Sequence, residues 1–142
     1  MLEKNKVGPC SKGPYSYGIK VGSTVYISGM TGIDLSTKSL KDSDFKSQLI
    51  QILENIEVIL GKEDLTLNQV VKVNIQMTDE KHLSVLNQVM SLYFTHPYPV
   101  RNISITGLLD GALVQLDAVA YDTRESDYKK MILEDDCGGE GC

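Results

Sequence analysis

The chain has 142 residues, of which 42% are hydrophobic and 23% charged, and carries a formal net charge of −5. That balance belongs to a globular chain with one core and excludes disordered, collagenous and membrane-spanning classes; no window approaches the roughly 20 consecutive apolar residues that a membrane helix needs. Three basic and six acidic residues fall between Arg124 and Cys142, so the tail holds −3 of the charge and the body only −2.

A body so nearly neutral, with no Lys/Arg cluster and no aromatic residues interleaved with basic ones, lacks the electrostatic footprint of phosphate binding, and nucleic acid is not expected as the main partner. Residues 1–6, Met-Leu-Glu-Lys-Asn-Lys, form neither an apolar signal core nor an Arg-rich amphipathic stretch. The expected location is therefore cytosolic. Cys10, Cys137 and Cys142 are odd in number and sit near the two ends, which argues for free thiols and against a disulfide framework. Combined with His82 and His96 they match no zinc spacing, so neither a metal nor another cofactor is expected.

In chain order, the opening stretch is punctuated by Gly8-Pro9 and Gly13-Pro14 and reads as turns. Residues 16–21 and 24–28 follow as two strands joined at Gly22-Ser23, a hairpin signal. Residues 29–41, rich in Gly, Ser, Thr and Asp, read as a loop of the kind that carries function. From Asp44 the period turns helical, with Phe45, Leu49, Leu53, Ile56 and Leu60 on one face, Asp42 or Ser43 available as N-cap and Gly61 placed to stop the helix.

Val71, Val73, Ile75 and Met77 alternate with polar residues, as in a half-buried strand. A second helix is predicted over residues 79–94 with Leu83, Leu86, Met90 and Tyr93 facing inward; the prolines of His96-Pro97-Tyr98-Pro99 end it. Strands at 101–106 and 112–122 close the pattern. The predicted order is β-β-α-β-α-β-β, an α+β fold whose mixed sheet has hairpins at both ends and two helices over one face. Ile103, Ile105, Leu113 and Val119 are expected in part on the uncovered face, which suggests burial by another subunit. Residues 1–123 are read as one domain and 124–142 as a charged, flexible tail.

Several local strings, in this order and spacing, resemble the Rid family, also named for the bacterial protein YjgF and labelled L-PSP endoribonuclease. They are Gly13-Pro14-Tyr15-Ser16-Tyr17-Gly18; Tyr26-Ile27-Ser28-Gly29; Leu53-Glu54-Asn55-Ile56; Val85-Leu86-Asn87; Tyr98-Pro99-Val100-Arg101; and Gly111-Ala112-Leu113-Val114 followed by Leu116-Asp117-Ala118-Val119-Ala120. The resemblance implies a chorismate-mutase-like homotrimer in which small 2-imino or 2-enamino acids bind in clefts between subunits.

It also implies roles. Arg101 stands where the family holds the substrate carboxylate, a task suited to a planar guanidinium that stays charged and grips both oxygens. Tyr15, Ser28 and Asn87 match positions that line the cleft and orient substrate or water, and the backbone N–H of Gly29 is a further donor. Read singly, these residues also have ordinary accounts: an ion-pairing surface arginine, a packed aromatic, a strand-end hydroxyl and a solvated helix residue.

Two departures stand out. Gln115 replaces the glutamate with which the family's deaminases position and activate water; a carboxamide can hold water but has no usable basicity, which forfeits a factor on the order of 10²–10⁴. Asp117, two residues on, would be displaced by nearly ~7 Å. Ile103 replaces a frequent cysteine, leaving its backbone carbonyl to hold substrate or water. The leading expectation is an imine/enamine deaminase that yields 2-oxo acids and ammonia, with Gln115 holding the water. The alternatives are a non-catalytic trimer that binds a 2-oxo acid, an endoribonuclease or translation inhibitor, and a chaperone-like role.

Overall fold

A computed structural model describes residues 3–124. Its single six-stranded sheet runs in the order β1-β2-β3-β6-β4-β5, with β1 Lys4–Cys10, β2 Ser16–Val21, β3 Thr24–Met30, β4 Val70–Met77, β5 Val100–Ile105 and β6 Val114–Tyr121. Neighbours are antiparallel except β4 and β5, which are parallel and joined through a helix, as a parallel crossover requires. Helices α1 Phe45–Gly61 and α2 Leu83–Tyr93 supply the second layer. The mixed sheet with two helices agrees with the sequence reading. None of the described helices is long and apolar enough to cross a membrane.

The predicted β-β-α-β-α-β-β order lacks one strand. Lys4–Cys10 pairs with β2 at the sheet edge, where the sequence reading has only turns. Gly8 adopts φ +90°, and the register shifts between Val7 and Cys10. That bulge lets the strand resume beyond Gly8-Pro9, and an edge strand tolerates proline because one side of its backbone needs no ladder partner. Nor do the last two strands form a hairpin. β6 lies between β3 and β4, and β5 takes the far edge. The burial of Val114, Leu116, Ala118 and Ala120, none more than 2% exposed, is what a central position demands.

The first helix is capped by Asp44, not by Asp42 or Ser43: its carboxylate accepts from the backbone N–H of Ser47. At the other end, Gly61 is not the stop signal. The chain turns at Asp64, φ +57°, and the N–H of Leu65 returns to the carbonyl of Leu60 at 3.0 Å. This is a left-handed closure of the kind more often given to glycine. The second helix starts later than predicted, since Glu80–His82 form a 3-10 turn before it.

One apolar core joins the layers: Val25, Ile27, Val73, Ile75 and Leu116 from the sheet meet Leu49, Ile52, Leu53 and Ile56 of α1 and Leu86 and Val89 of α2. Each such side chain contributes about 1.5–3 kcal/mol. The alternating residues Tyr26, Asn74, Gln76, Gln115, Asp117 and Val119 face away from the helices. Ile103 and Ile105 do not join them. They pair in register with Ile75 and Met77 and so lie on the helix side. The uncovered face carries instead a polar row across three strands: Asn74 Nδ2 donates to Asp117 Oδ1 at 2.9 Å, and Asn102 Nδ2 donates to Asn74 Oδ1 at 3.2 Å.

Candidate functional site

Tyr15 is placed by the turn before β2. Its N–H donates to the Gly13 carbonyl at 2.9 Å, and the Tyr15 carbonyl accepts from the Ser11 hydroxyl. The ring is 50% exposed and meets Tyr17 edge-on, centroids 5.9 Å apart. Ser28 and Gly29 form a bulge on β3: Ile27 pairs with Ala118 and Met30 with Leu116, so both residues oppose Asp117 alone. Such bulges redirect side chains. A Cβ on Gly29 would lie 2.8 Å from Gln115 Nε2, so it is the missing side chain that lets Gln115 lie across β3. Tyr15, Gly29 and Gln115 line one cavity of about 530 Å³, and Ser28 adjoins it through the bulge. Asp117 does not line it, being engaged by Asn74.

Arg101 and Asn87 form a second cluster. Arg101 projects from the edge strand β5 and donates from Nη1 to Asn87 Oδ1 of α2 at 2.7 Å. Among the described residues no carboxylate pairs with it. Met90, Ser91, Tyr98 and Pro99 complete a concavity of about 440 Å³ around the pair. Ile103, on the same side of the same strand, packs its side chain against the core.

The structure therefore divides the predicted site residues. Arg101 is in register with Val73 and points to the helix side, whereas Gln115 lies between the buried Val114 and Leu116 and points away from it. β4 also stands between their strands. With strands roughly 4.8 Å apart and a sheet's thickness between the two faces, these side chains cannot close on one small molecule within a single chain.

The first cavity contains two residues that the sequence reading did not single out, Tyr17 and Lys38. Tyr17 is 1% exposed, its hydroxyl has no partner among the described residues, and burial, then the nearby Tyr15, pushes its pKa up. The signal for Tyr17 was its closeness to Tyr15 in the chain, since the two rings meet edge-on. Lys38 had no such signal, because its position depends on the fold of the 33–40 loop.

Comparison with known proteins bears on this arrangement. The family model described as endoribonuclease L-PSP matches residues 6–122. The chain belongs to this family, the Rid family. A RutC family protein of Pyrococcus abyssi is 36% identical over 110 residues, 77% of this chain and 87% of that one. A mouse protein named 2-iminobutanoate/2-iminopropanoate deaminase is 31% identical over 113 residues, 79% of this chain and 84% of its own length. The crystal structure of RidA from an Antarctic Psychrobacter superposes with a TM-score of 0.77 at 37% identity, covering 82% of this chain and 98% of that one. Rid membership thus agrees with the motif resemblance, and the fold is that of RidA.

Proposed function

We propose that the protein is an imine/enamine deaminase acting on small 2-imino acids, with its sites completed between the subunits of a homotrimer. The observation that carries this reading is the split: a guanidinium whose partner among the described residues is an amide on one edge, and a carboxamide beside an open cavity on the opposite face. Each half lacks what the other has. A neighbouring copy that sets its β5 edge against the first cavity brings Arg101, Asn87 and the backbone of Ile103 to Tyr15, Ser28, Gly29 and Gln115. A heterologous contact of this kind closes into a ring of three when each copy is turned by a third of a circle from the last.

In such a cleft Arg101 holds the substrate carboxylate with two parallel hydrogen bonds, and Asn87 fixes the guanidinium from behind. Tyr15, Ser28 and the Gly29 N–H orient the substrate, while the Gln115 carboxamide holds a water against C2. That water adds to C2 of the protonated imine, and one of its protons passes through solvent to the nitrogen. The C–N bond then breaks, ammonia leaving with the remaining hydroxyl proton as ammonium while C2 becomes a carbonyl. Gln115 cannot take the proton, so the rate rests on positioning. The mouse relative's name supports this substrate class.

A second reading follows from Gln115 alone: a trimer that keeps the carboxylate clamp and binds a 2-oxo acid without turnover. For the ribonuclease role in the family's label there is less support, since no histidine lines either cavity. The test is hydrolysis of 2-iminopropanoate, generated in situ by an amino-acid oxidase. Turnover by the native protein, lost in Arg101→Ala, supports the deaminase; no turnover until Gln115→Glu is made supports the binding protein.

A further inference from the structure

The larger cavity, about 530 Å³ in the single chain, holds polar side chains that the proposed chemistry does not use. Its inner wall is the buried Tyr17, whose hydroxyl lacks a partner among the described residues. An unpaired buried hydroxyl is costly and favours a ligand that accepts its proton.

Lys38 lies over the same ring, its Nζ 6.0 Å from the centroid. It is a non-glycine residue at φ +60°, a conformation that costs about 1–2 kcal/mol. The loop around it enforces that geometry. Asp34 Oδ1 accepts from the N–H groups of Ser36 and Thr37 at 2.7 and 3.2 Å, the Lys38 N–H donates to the Asp34 carbonyl at 2.7 Å, and the N–H of Asp34 donates to Ser39 at 2.9 Å. Asn55, buried on α1, ties the loop down through the Ile33 carbonyl at 2.8 Å. The ammonium is partly satisfied by the Leu35 carbonyl at 3.3 Å and keeps further donors. Glycine or asparagine would suit the turn better; a lysine there puts a fixed cation over Tyr17. Lys12 and Asp110 also line the cavity, leaving it one positive charge in excess.

We propose that Tyr17 and Lys38 form a second carboxylate subsite, and that the preferred substrates are 2-imino dicarboxylic acids whose side-chain carboxylate enters this cavity. Lys38 supplies the charge, and the Tyr17 hydroxyl donates from the wall. The reaction rests on the deaminase reading, but the subsite does not, so two measurements separate them.

The first is kcat/KM for 2-iminoglutarate and 2-iminosuccinate against 2-iminopropanoate. The second is calorimetric binding of the stable oxo acids 2-oxoglutarate and 2-oxobutanoate. Both are made on the native protein, Lys38→Gln and Tyr17→Phe. The expected result is a native preference for the dicarboxylic acid of tenfold or more, in turnover and in binding, falling about tenfold in Lys38→Gln and severalfold in Tyr17→Phe. If nothing is turned over but 2-oxoglutarate binds tighter in a Lys38-dependent manner, the deaminase reading fails and the subsite stands. Equal or better handling of the monocarboxylic acids by the native protein, or a preference that survives Lys38→Gln, overturns the subsite.

Discussion

Gly29 and Gln115 occupy space that only one side chain can use: a Cβ on the glycine would stand 2.8 Å from the amide nitrogen of Gln115 and 3.2 Å from its Cδ. The atom it meets is the far end of a flexible side chain, so Gly29→Ala displaces the carboxamide and leaves the sheet intact. Misplacing a water-holding group by about an ångström costs on the order of 10–100-fold in rate. The expected outcome is a kcat/KM for 2-iminopropanoate reduced by about that factor, with the thermal midpoint close to native, measured by the coupled oxidase assay and differential scanning fluorimetry. A fully active Gly29→Ala protein would remove Gln115 from the reaction.

The division of the site between two faces makes a prediction about mixtures. In a ring whose clefts take Arg101 from one subunit and Gln115 from the next, Arg101→Ala and Gln115→Leu homotrimers have no intact cleft. Trimers formed from equal amounts of both by unfolding and refolding together regain native clefts at about one interface in four, the random chance that the two intact halves meet across a heterologous contact. Activity near a quarter of native in the refolded mixture, absent when the two variants are mixed without unfolding, is the expected result. No recovery after co-refolding would show that both residues act within one chain.

Much of this was legible in the sequence because the long elements carry a clear period. Val73, Ile75 and Met77 alternate, α1 repeats its apolar residues at three and four, and both emerge as read. β1 was hidden because its core contribution is chiefly Val7, and Gly8-Pro9 looks like punctuation until the bulge is seen. The position of β6 between β3 and β4 depends on pairing over long sequence separations, which no local pattern encodes. The same holds for the separation of Arg101 from Gln115: their facing follows from strand order and register. Residues 124–142, read from the sequence as a flexible tail, fall almost wholly outside the described residues, as do Cys137 and Cys142.

Gln48 shows how the loops around the larger cavity are held. It is fully buried on α1, where its Nε2 donates to the Asp42 carbonyl at 2.9 Å and its Oε1 accepts from the Leu113 N–H at 2.8 Å. One side chain thus ties the entry of α1 to the entry of β6, two residues before Gln115. Gln48→Ala leaves both backbone groups unpaired in a buried place, and the expected loss is about 2–4 kcal/mol in urea or guanidinium unfolding. Gln48→Glu keeps the acceptor but removes the donor and sets a carboxylate against the Asp42 carbonyl, so it is expected to be destabilised as well. A loss under about 0.5 kcal/mol in Gln48→Ala would mean that water replaces the amide.

The end of the sheet is fixed by a carboxylate whose ionisation can be followed. Asp122 is buried just beyond β6 and accepts from Arg124 Nε at 2.9 Å, from Arg124 Nη2 at 2.7 Å and from Lys20 Nζ at 3.1 Å. The Arg124 side chain foremost, then Lys20, hold its pKa well below the ordinary carboxylate range against the opposing effect of burial. A folded-state pKa below the unfolded value makes the contribution fully present above the unfolded carboxylate value of about 3.9 and lost as pH falls below it towards the folded value. Asp122→Asn is therefore expected to be less stable than native near neutral pH by about 1–2 kcal/mol, a modest figure because Arg124 is largely exposed. The two stability curves should converge as pH falls from about 4. Denaturant unfolding at a series of pH values checks this, and a constant gap between native and variant down to the lowest pH would show that the carboxylate's charge contributes nothing there.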